Sequence, residues 1–310
     1  MPTGVKIPPG DITTISPGFA TLHSYNANIS ISQEIGAGFV ATASYLYTKG
    51  THLPVYRNIN LVPSGVVLAD GRPIFSSTER VYSGFANILS AESVGSSEYN
   101  GLNVSLQRRF ARGYELFGTY TWSHAIDDAP EQNNIDSGNS VTLSDPSNRR
   151  RDRANSLTDR RHVFNLTGVF TPQFHRTGKL ASYLLNLNRL SIGMVATSGD
   201  VFSIGSNRIL NGDSSESAAN QRPLFVGRNT LRAPAIFELN ARYSRVFPIS
   251  EHRSFEFMAE STNIMNTLNV TNLSTTAQVD ALGNILSSPA NAATSARDQR
   301  LIQLGLRFNF

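Results

Sequence analysis

The sequence of 310 residues contains no cysteine, and only 16% of its residues are charged. Without cysteine the chain has no disulfide framework, no thiolate zinc site and no cysteine nucleophile. No run of about 18 apolar residues occurs, so no transmembrane helix is expected. The first residues, MPTGVKIPPG, lack the apolar core of a signal peptide. The chain is therefore soluble, inserted in a membrane as β-strands, or the later part of a longer protein.

Lysine is also scarce. Lys6, Lys49 and Lys179 are the only lysines among 27 basic residues, and the formal net charge is +4. Nearly all positive charge is thus carried by arginine, whose planar guanidinium forms forked hydrogen bonds with carboxylates and phosphates. The low charged and apolar content argues against a coiled coil, a charged disordered tail and a helical bundle.

An alternation of apolar with small or polar residues recurs along the chain. In the segment 99–110, for example, Leu102 and Val104 alternate with Asn103 and Ser105. A period of two over this length indicates long β-strands. About nine strands are predicted on this basis. They span 19–33, 37–49, 99–110, 114–124, 162–174, 189–204, 235–247, 253–264 and 300–310.

The connections between these strands alternate in length. Short ones fall at 34–36, 111–113 and 248–252, with an intermediate one at 175–188. Long ones fall at 50–98, 125–161, 205–234 and 265–299. Short turns on one side and long loops on the other are typical of an outer-membrane β-barrel. A soluble β-sandwich is the alternative that this pattern leaves open.

Aromatic residues concentrate at the strand ends, as in the two interfacial girdles of a membrane barrel. Those next to long loops are Tyr45, Tyr47, Tyr120 and Trp122, and those next to shorter connections are Phe110, Tyr114, Phe174, Phe247 and Phe255. Residues expected to face lipid are Leu102, Val104, Leu106, Phe237, Leu239, Ala241 and Tyr243. Residues expected to line a lumen are Asn103, Ser105, Gln107, Asn240 and Arg242.

The final strand carries the most specific pattern. Its apolar stripe resembles the assembly signal that bacterial barrel-insertion machinery recognises. The predicted signal residues are Ile302, Leu304, Leu306, Phe308 and Phe310, which alternate with Gln303, Gly305, Arg307 and Asn309.

Several stretches, taken in order and spacing, resemble the C-terminal half of TonB-dependent outer-membrane receptors, particularly the Oar-like group with a carboxypeptidase-regulatory-like leader. They are SSEYNGLNVSLQRRFARGYELFGTYTWSHAIDD (96–128), DRRHVFNLTGVFTPQF (159–174), APAIFELNARYSRVFPI (233–249), FEFMAESTNIMNTLNV (255–270) and RLIQLGLRFNF (300–310).

The resemblance implies an all-β fold, an antiparallel meander forming part of a transmembrane outer-membrane barrel. Residues 1–18 would be an N-terminal loop or truncated start, and residues 19–310 the C-terminal portion of the barrel. A complete receptor would also have a signal peptide, a periplasmic leader, often an energy-coupling box, and a plug domain. Because bacterial barrels have an even number of strands, the odd count favours a fragment of a larger barrel. We expect this fragment not to close on itself.

The implied function is uptake of a bulky ligand across the bacterial outer membrane, without enzymatic activity. No catalytic residue, cofactor or metal site is expected. The expected partners are outer-membrane lipid and lipopolysaccharide, the barrel-assembly machinery and an unknown ligand, with TonB contacted only through missing N-terminal parts. A structural or adhesive surface barrel without transport is the alternative.

An arginine cluster between two predicted strands is the one candidate for anion contact: Arg149, Arg150, Arg151, Arg153, Arg160 and Arg161. Lipopolysaccharide phosphate or an anionic substrate would suit it. Nucleic acid is not expected, since no aromatic or helical recognition element accompanies the cluster. The competing interpretation is that Asp152, Asp159 and the preceding acidic stretch pair with these arginines.

Two weaker hypotheses concern the same loop. Its acidic residues could hold calcium, although their spacing is not that of an EF-hand: Asp127, Asp128, Glu131, Asp136 and Asp145. His124 and His162 bracket the loop and are the centres that a Ser-His-Asx trio on the barrel rim would need. No nucleophile-elbow or phosphate-loop motif is present.

Overall fold

β-Strands dominate the computed structural model, which describes residues 9–128, 143–174, 182–183, 185–215 and 217–310. The strands are β1 Gly10–Ile15, β2 His23–Gly36, β3 Phe39–Asn58, β4 Leu61–Val67, β5 Pro73–Arg80, β6 Phe85–Ala111, β7 Tyr114–Asp127, β8 Ala154–Asn155, β9 His162–Phe170, β10 Asn188–Thr197, β11 Val201–Phe202, β12 Gly205–Ser206, β13 Leu231–Arg232, β14 Ile236–Pro248, β15 Ser254–Thr262, β16 Val270–Leu273, β17 Thr276–Val279, β18 Ile285–Ser287, β19 Ala293–Ala296 and β20 Leu301–Asn309. Short 3-10 helices span Arg149–Asp152 and Ala218–Asn220. Within the described ranges, no helix is both long and apolar enough to cross a membrane.

The main sheet is an antiparallel meander in the order β2-β3-β6-β7-β9-β10-β14-β15-β20. These strands correspond one for one to those predicted from the sequence, so the all-β meander is confirmed. In the part of the chain that the structure describes, no pairing joins β2 to β20. The sheet is therefore open, as expected for a fragment of a wider barrel, and presents two strand edges.

The two faces of the sheet differ in polarity. On one face, Ala43, Val104 and Tyr120 lie side by side on β3, β6 and β7. On the other face, polar side chains bond to each other across the strands, and the amide of Asn103 donates to the hydroxyl of Thr121 at 2.8 Å. The hydroxyl pairs Ser30–Ser44 and Ser32–Thr42 continue this polar face at 2.8 Å. The alternation is that of a barrel wall with apolar residues outside and polar residues inside.

Burial is inverted relative to a soluble protein. The apolar face of the sheet is exposed, and Ile29 and Leu304 keep 74% and 72% of their accessible surface. Buried apolar clusters lie in the long connections instead, the largest being Leu68, Leu210, Leu224, Ala277 and Val279. A continuous exposed apolar face of this extent marks a surface that contacts lipid.

Arg108 fastens two tight turns on the short-loop side. Its Nε donates to the carbonyl of Ala37 at 3.0 Å, and its Nη1 donates to the carbonyls of Ala111 and Tyr114 at 3.0 and 3.3 Å. Its guanidinium carbon lies 3.4 Å from the centre of the Tyr114 ring. Because carbonyl dipoles and the ring compensate its charge, an arginine is tolerated at the end of an apolar stripe.

The turn that Arg108 covers requires a glycine. Gly113 has a φ of +84°, and a Cβ there would lie 2.6 Å from the carbonyl oxygen of Thr171. Aromatic rings cluster on the same side of the sheet, with Tyr114 stacked 6.4 Å from Phe170 and Phe255 lying 5.0 Å from Phe308. Tyr114 and Phe255 belong to the lower of the two predicted girdles, and Phe170 and Phe308, which were not predicted there, pack against them.

β3 and β6 are much longer than predicted, with 20 and 27 residues. A strand needs about 9–11 residues to cross a bilayer, so their upper halves rise above it. The predicted loop 50–98 is thus largely a continuation of the β3–β6 ladder, capped by the β4–β5 hairpin. β1, which the sequence did not predict, pairs in parallel with the upper half of β6. The proposed boundary between residues 18 and 19 stays a prediction.

Candidate functional site

The long connections form a layer above the sheet, which we call the loop layer. It comprises the described residues of 52–96, 125–161, 198–235 and 263–299. Besides its apolar clusters, it contains carboxylates and guanidiniums that are almost fully buried, including Asp152, Asp159, Arg222 and Arg228. Buried charges need partners, and the pairing among these residues organises the layer.

Asp152 links two distant connections of the loop layer. Its carboxylate accepts hydrogen bonds from Nη1 of Arg222 at 2.8 Å and from the backbone N–H of Ser144 at 3.0 Å. Arg222 also donates from Nη2 to the hydroxyl of Ser144 at 2.8 Å. Removal of either charge would leave the other buried without its partner, which makes such pairs structurally important.

Asp159 occupies a second buried position, at the base of the layer. It accepts hydrogen bonds from Nη2 of Arg232 at 2.6 Å and from the backbone N–H of Ala125 at 3.0 Å, and Arg161 pairs with it at 3.6 Å. Burial alone would raise the pKa of this carboxyl, but the N–H of Ala125 and the two guanidiniums hold it below its usual value. Two positive charges thus share one carboxylate.

A third group of contacts ties the layer to the top of β6 and β7. Arg228 pairs with Asp127 and donates from Nε to the carbonyl of Asp152 at 2.8 Å. Asp128 pairs with Arg149 and accepts a hydrogen bond from the backbone N–H of Ser96 at 2.6 Å. The acidic residues for which calcium was considered therefore face arginines and backbone donors, except Glu131 and Asp136, which lie outside the described residues. Among the described residues, no cluster of potential metal ligands occurs.

Five of the arginines predicted to contact an anion form ion pairs. The pairs are Arg149–Asp128, Arg151–Asp145, Arg153–Glu98, Arg160–Asp200 and Arg161–Asp159. Arg150 is exposed, and it has no ion pair with any residue that the structure describes. The arrangement corresponds to the paired network weighed as an alternative, and ligand contact by these arginines stays a prediction.

Four arginines outside the predicted cluster complete the network, namely Arg72, Arg222, Arg228 and Arg232. Arg72, Arg151 and Arg222 line a pocket of about 240 Å³, with the exposed Phe225 beside them. Each of these guanidiniums has its own carboxylate: Asp70, Asp145 and Asp152 respectively. Charge in this pocket is balanced.

His124 and His162 do not form the trio that an enzyme would need. Nε2 of His124 is 2.9 Å from Oδ1 of Asn155, and Nδ1 of His162 is 2.8 Å from the hydroxyl of Tyr120. Over the described ranges, no serine hydroxyl is hydrogen-bonded to either imidazole. Their contacts are those of polar residues at a barrel rim.

Residues 2–227 and 224–303 match the model of the family described as "Outer membrane beta barrel domain". The chain belongs to this outer membrane beta barrel family. Its location in the bacterial outer membrane follows, and the outer-membrane barrel expected from the sequence is confirmed. No curated protein sequence matches the chain.

Solved structures similar to this barrel are outer-membrane transporters and receptors. The outer membrane transporter YddB from Escherichia coli has 11% identity and a TM-score of 0.52 over 97% of this chain and 34% of its own. The ferric enterobactin receptor PfeA from Pseudomonas aeruginosa has 12% identity and a TM-score of 0.48 over 93% and 31%. The FrpB iron transporter from Neisseria meningitidis has 12% identity and a TM-score of 0.45 over 95% and 32%. The likeness to YddB shows the fold, and the barrel segment spans about a third of each of these chains.

The inner face of this barrel wall is basic near its lower end. Arg189, Arg242 and Arg307 line a depression of about 350 Å³ together with Glu256, which pairs with Arg307 at 3.6 Å. Arg242 was predicted to line the lumen, and it lies on the polar face, next to Glu260 of β15. The inner face of the wall is therefore positively charged at this level and would attract anionic groups in the lumen.

The predicted assembly residues occupy one face of β20, the strand at the edge of the barrel sheet. Ile302, Leu304, Leu306 and Phe308 alternate along its outer face, and all of them are exposed, as is Phe310. The inner edge of β20 pairs with β15 over its full length. The stripe is geometrically available to a recognising protein, and its role stays a prediction.

Proposed function

We propose that this barrel segment is part of the wall of a TonB-dependent receptor that takes up a bulky ligand. The observation that carries the proposal is the open, nine-stranded meander with a polar inner face. An arc of this kind suits a barrel of about 22 strands, the size associated with plugged transporters. The similarity to a transporter of which the chain covers 34%, and the sequence resemblance given above, support the same assignment.

In this proposal the missing strands, the plug and the contact with TonB belong to the remainder of the receptor. The loop layer meets the ligand, and the exposed Arg150 with its neighbours would contact anionic groups on it. The inner face lines the path that opens when the plug moves. None of these steps requires a catalytic group or cofactor from this segment.

A structural or adhesive surface barrel is the second candidate function. The loop layer favours it in one respect, because its apolar clusters and buried ion pairs make it a packed surface. A surface barrel would present this layer to partners without opening a path. The two functions therefore differ in whether the accessibility of the lumen depends on the proton-motive force and TonB.

Single introduced cysteines can measure this accessibility, because the segment has no natural cysteine. In full-length receptor on growing cells, Ser105→Cys places a thiol on the inner face, and Ser288→Cys places one in an exposed connection. We expect a hydrophilic maleimide to label Ser105→Cys several-fold more slowly after a protonophore is added or TonB is deleted. Labelling of Ser288→Cys should not change. Energy-independent labelling at both positions would favour the surface barrel.

We also propose that the barrel-assembly machinery recognises the apolar stripe of β20. Phe308→Ala should lower the amount of heat-modifiable receptor in the outer membrane, whereas Asn309→Ala, on the opposite face, should not. Phe255→Ala removes the same ring pair without changing β20. If Phe255→Ala impairs assembly as much as Phe308→Ala does, the loss reflects the ring contact and the signal is not in β20.

A further inference from the structure

A pocket opens on the outer surface of the barrel, close to the long loops. Tyr45, Leu102 and Trp122 line it from one row across β3, β6 and β7. Its volume is about 310 Å³, and Asn100, His124 and Arg161 complete its polar side. Trp122 is the only tryptophan of the chain and is half exposed.

Gly101 shows on which face of the sheet this pocket opens, because its backbone is part of the pocket lining. On the inner face, a Cβ built on Gly101 would lie 2.5 Å from the Tyr99 hydroxyl and 2.8 Å from its ring, so that side is covered. Tyr99 is not among the residues of the pocket. The pocket therefore opens toward lipid, on the face that carries Leu102 and Val104.

The position of the pocket along the strands places it at the outer interface of the bilayer. From Tyr114, in the lower aromatic girdle, β7 extends to Trp122 over about 26 Å of strand, which is a rise of about 20 Å at the usual barrel tilt. The apolar band of outer-membrane barrels is about 25 Å tall and ends in aromatic residues. Trp122 and Tyr45 thus lie in the upper part of this band, next to the headgroups of the outer leaflet.

The polar side of the pocket has a surplus of positive charge. Arg161 shares Asp159 with Arg232, and Arg232 is the closer partner, at 2.6 Å compared with 3.6 Å. The side chain of Arg161 is about one-third exposed, so part of its guanidinium is accessible from outside and is not satisfied by Asp159. An anionic group is the ligand that would satisfy it.

We propose that this pocket binds the phosphate-bearing headgroup of an outer-leaflet glycolipid. The phosphate would accept hydrogen bonds from Arg161, and Asn100 and His124 offer polar contacts to the sugar. Trp122 and Leu102 would pack against the sugar and the first acyl carbons, since an amphipathic ring is favoured at this depth. The site lies on the lipid surface and does not depend on transport through the lumen.

Binding to the purified full-length receptor in mild detergent tests this site. The probes are diphosphoryl lipid A, the same lipid A with both phosphates removed, and inorganic phosphate. Wild-type receptor should bind diphosphoryl lipid A, and Arg161→Gln should weaken binding about tenfold, the effect of losing one charge-assisted hydrogen bond. Arg253→Gln, the same change in an exposed turn on the opposite rim, should leave the affinity unchanged.

The phosphate-free lipid makes the same test without altering the protein, so a folding defect of Arg161→Gln cannot obscure the result. It should bind wild-type receptor about tenfold more weakly than diphosphoryl lipid A, a loss equal to that of the arginine variant. Equal binding of both lipids, or equal affinity of Arg161→Gln and wild type, would overturn the proposal. Binding of inorganic phosphate as tight as that of the lipid would also overturn it, because it would identify a free-anion site.

Discussion

Val104→Arg in the full-length protein is expected to impair stable insertion into the outer membrane. Val104 lies in the apolar row with Ala43 and Tyr120, and along β7 Tyr120 is six residues above Tyr114 and two below Trp122. An arginine on the lipid face costs about 2–4 kcal/mol at the bilayer midplane and about 0–1 kcal/mol near the interfaces, so we expect an intermediate loss at this level. The measurement is the amount of protease-resistant, heat-modifiable protein in outer-membrane fractions.

Ser105→Arg is the matched control, because it makes the same addition one residue further along β6. Ser105 faces inward, next to Thr42 and Thr119, where polar side chains bond across the strands. We expect normal insertion of this variant and a change confined to the lumen. If membranes tolerate both substitutions equally, the lipid face has been assigned to the wrong side of the sheet.

The second large effect is expected from Asp159→Asn. This change removes the charge that Arg232 and Arg161 share, and it leaves two guanidiniums at the base of the loop layer without compensation. We expect a loss of about 2–3 kcal/mol, less than for a fully buried pair because both arginines are about one-third exposed and solvent screens them. Thermal unfolding of the full-length protein at pH 7 measures this loss.

The effect of Asp159→Asn should depend on pH. Because the pKa of Asp159 is lowered in the folded protein, its contribution is fully present above the unfolded pKa of about 3.9 and is lost progressively as pH falls from there through the folded pKa. The stabilities of wild type and Asp159→Asn should therefore begin to approach each other below about pH 4 and become equal once the pH lies below the folded pKa. Asp280→Asn makes the same chemical change in an exposed turn and should have a much smaller effect at pH 7. A constant gap between wild type and Asp159→Asn down to pH 3 would contradict the assignment.

Period-two alternation sufficed to predict the nine strands of the main sheet, because each of them must keep one apolar and one polar face. It failed above the membrane, where neither face of β3 and β6 is in contact with lipid. There Pro54 and two register shifts interrupt the pattern, although the ladder continues to Asn58. β1 was not predicted either. Its parallel partner lies more than 70 residues away in the sequence, so no local pattern indicates the pairing.

The ion-pair network could be predicted only in part. The cluster from Arg149 to Arg161 is visible as a run in the sequence, and the acidic residues near it indicate ion pairs as one of its two interpretations. Arg222 and Arg232 are isolated in the sequence, and they reach Asp152 and Asp159 across 70 and 73 residues. The one signal that could have indicated them is the excess of arginine over lysine, because buried carboxylates favour the forked guanidinium.

The length of β6 determines how far the protein stands out from the cell. Its 27 residues extend over about 90 Å of strand, so at the usual barrel tilt its upper end lies about 40 Å above the apolar band. Antibodies, proteases and other large molecules approaching the bacterium would meet the β4–β5 hairpin before they meet lipid. The hairpin, with the exposed Val66 in β4 and the exposed Tyr82 next to β5, is thus the surface that antibodies would reach first on this barrel segment.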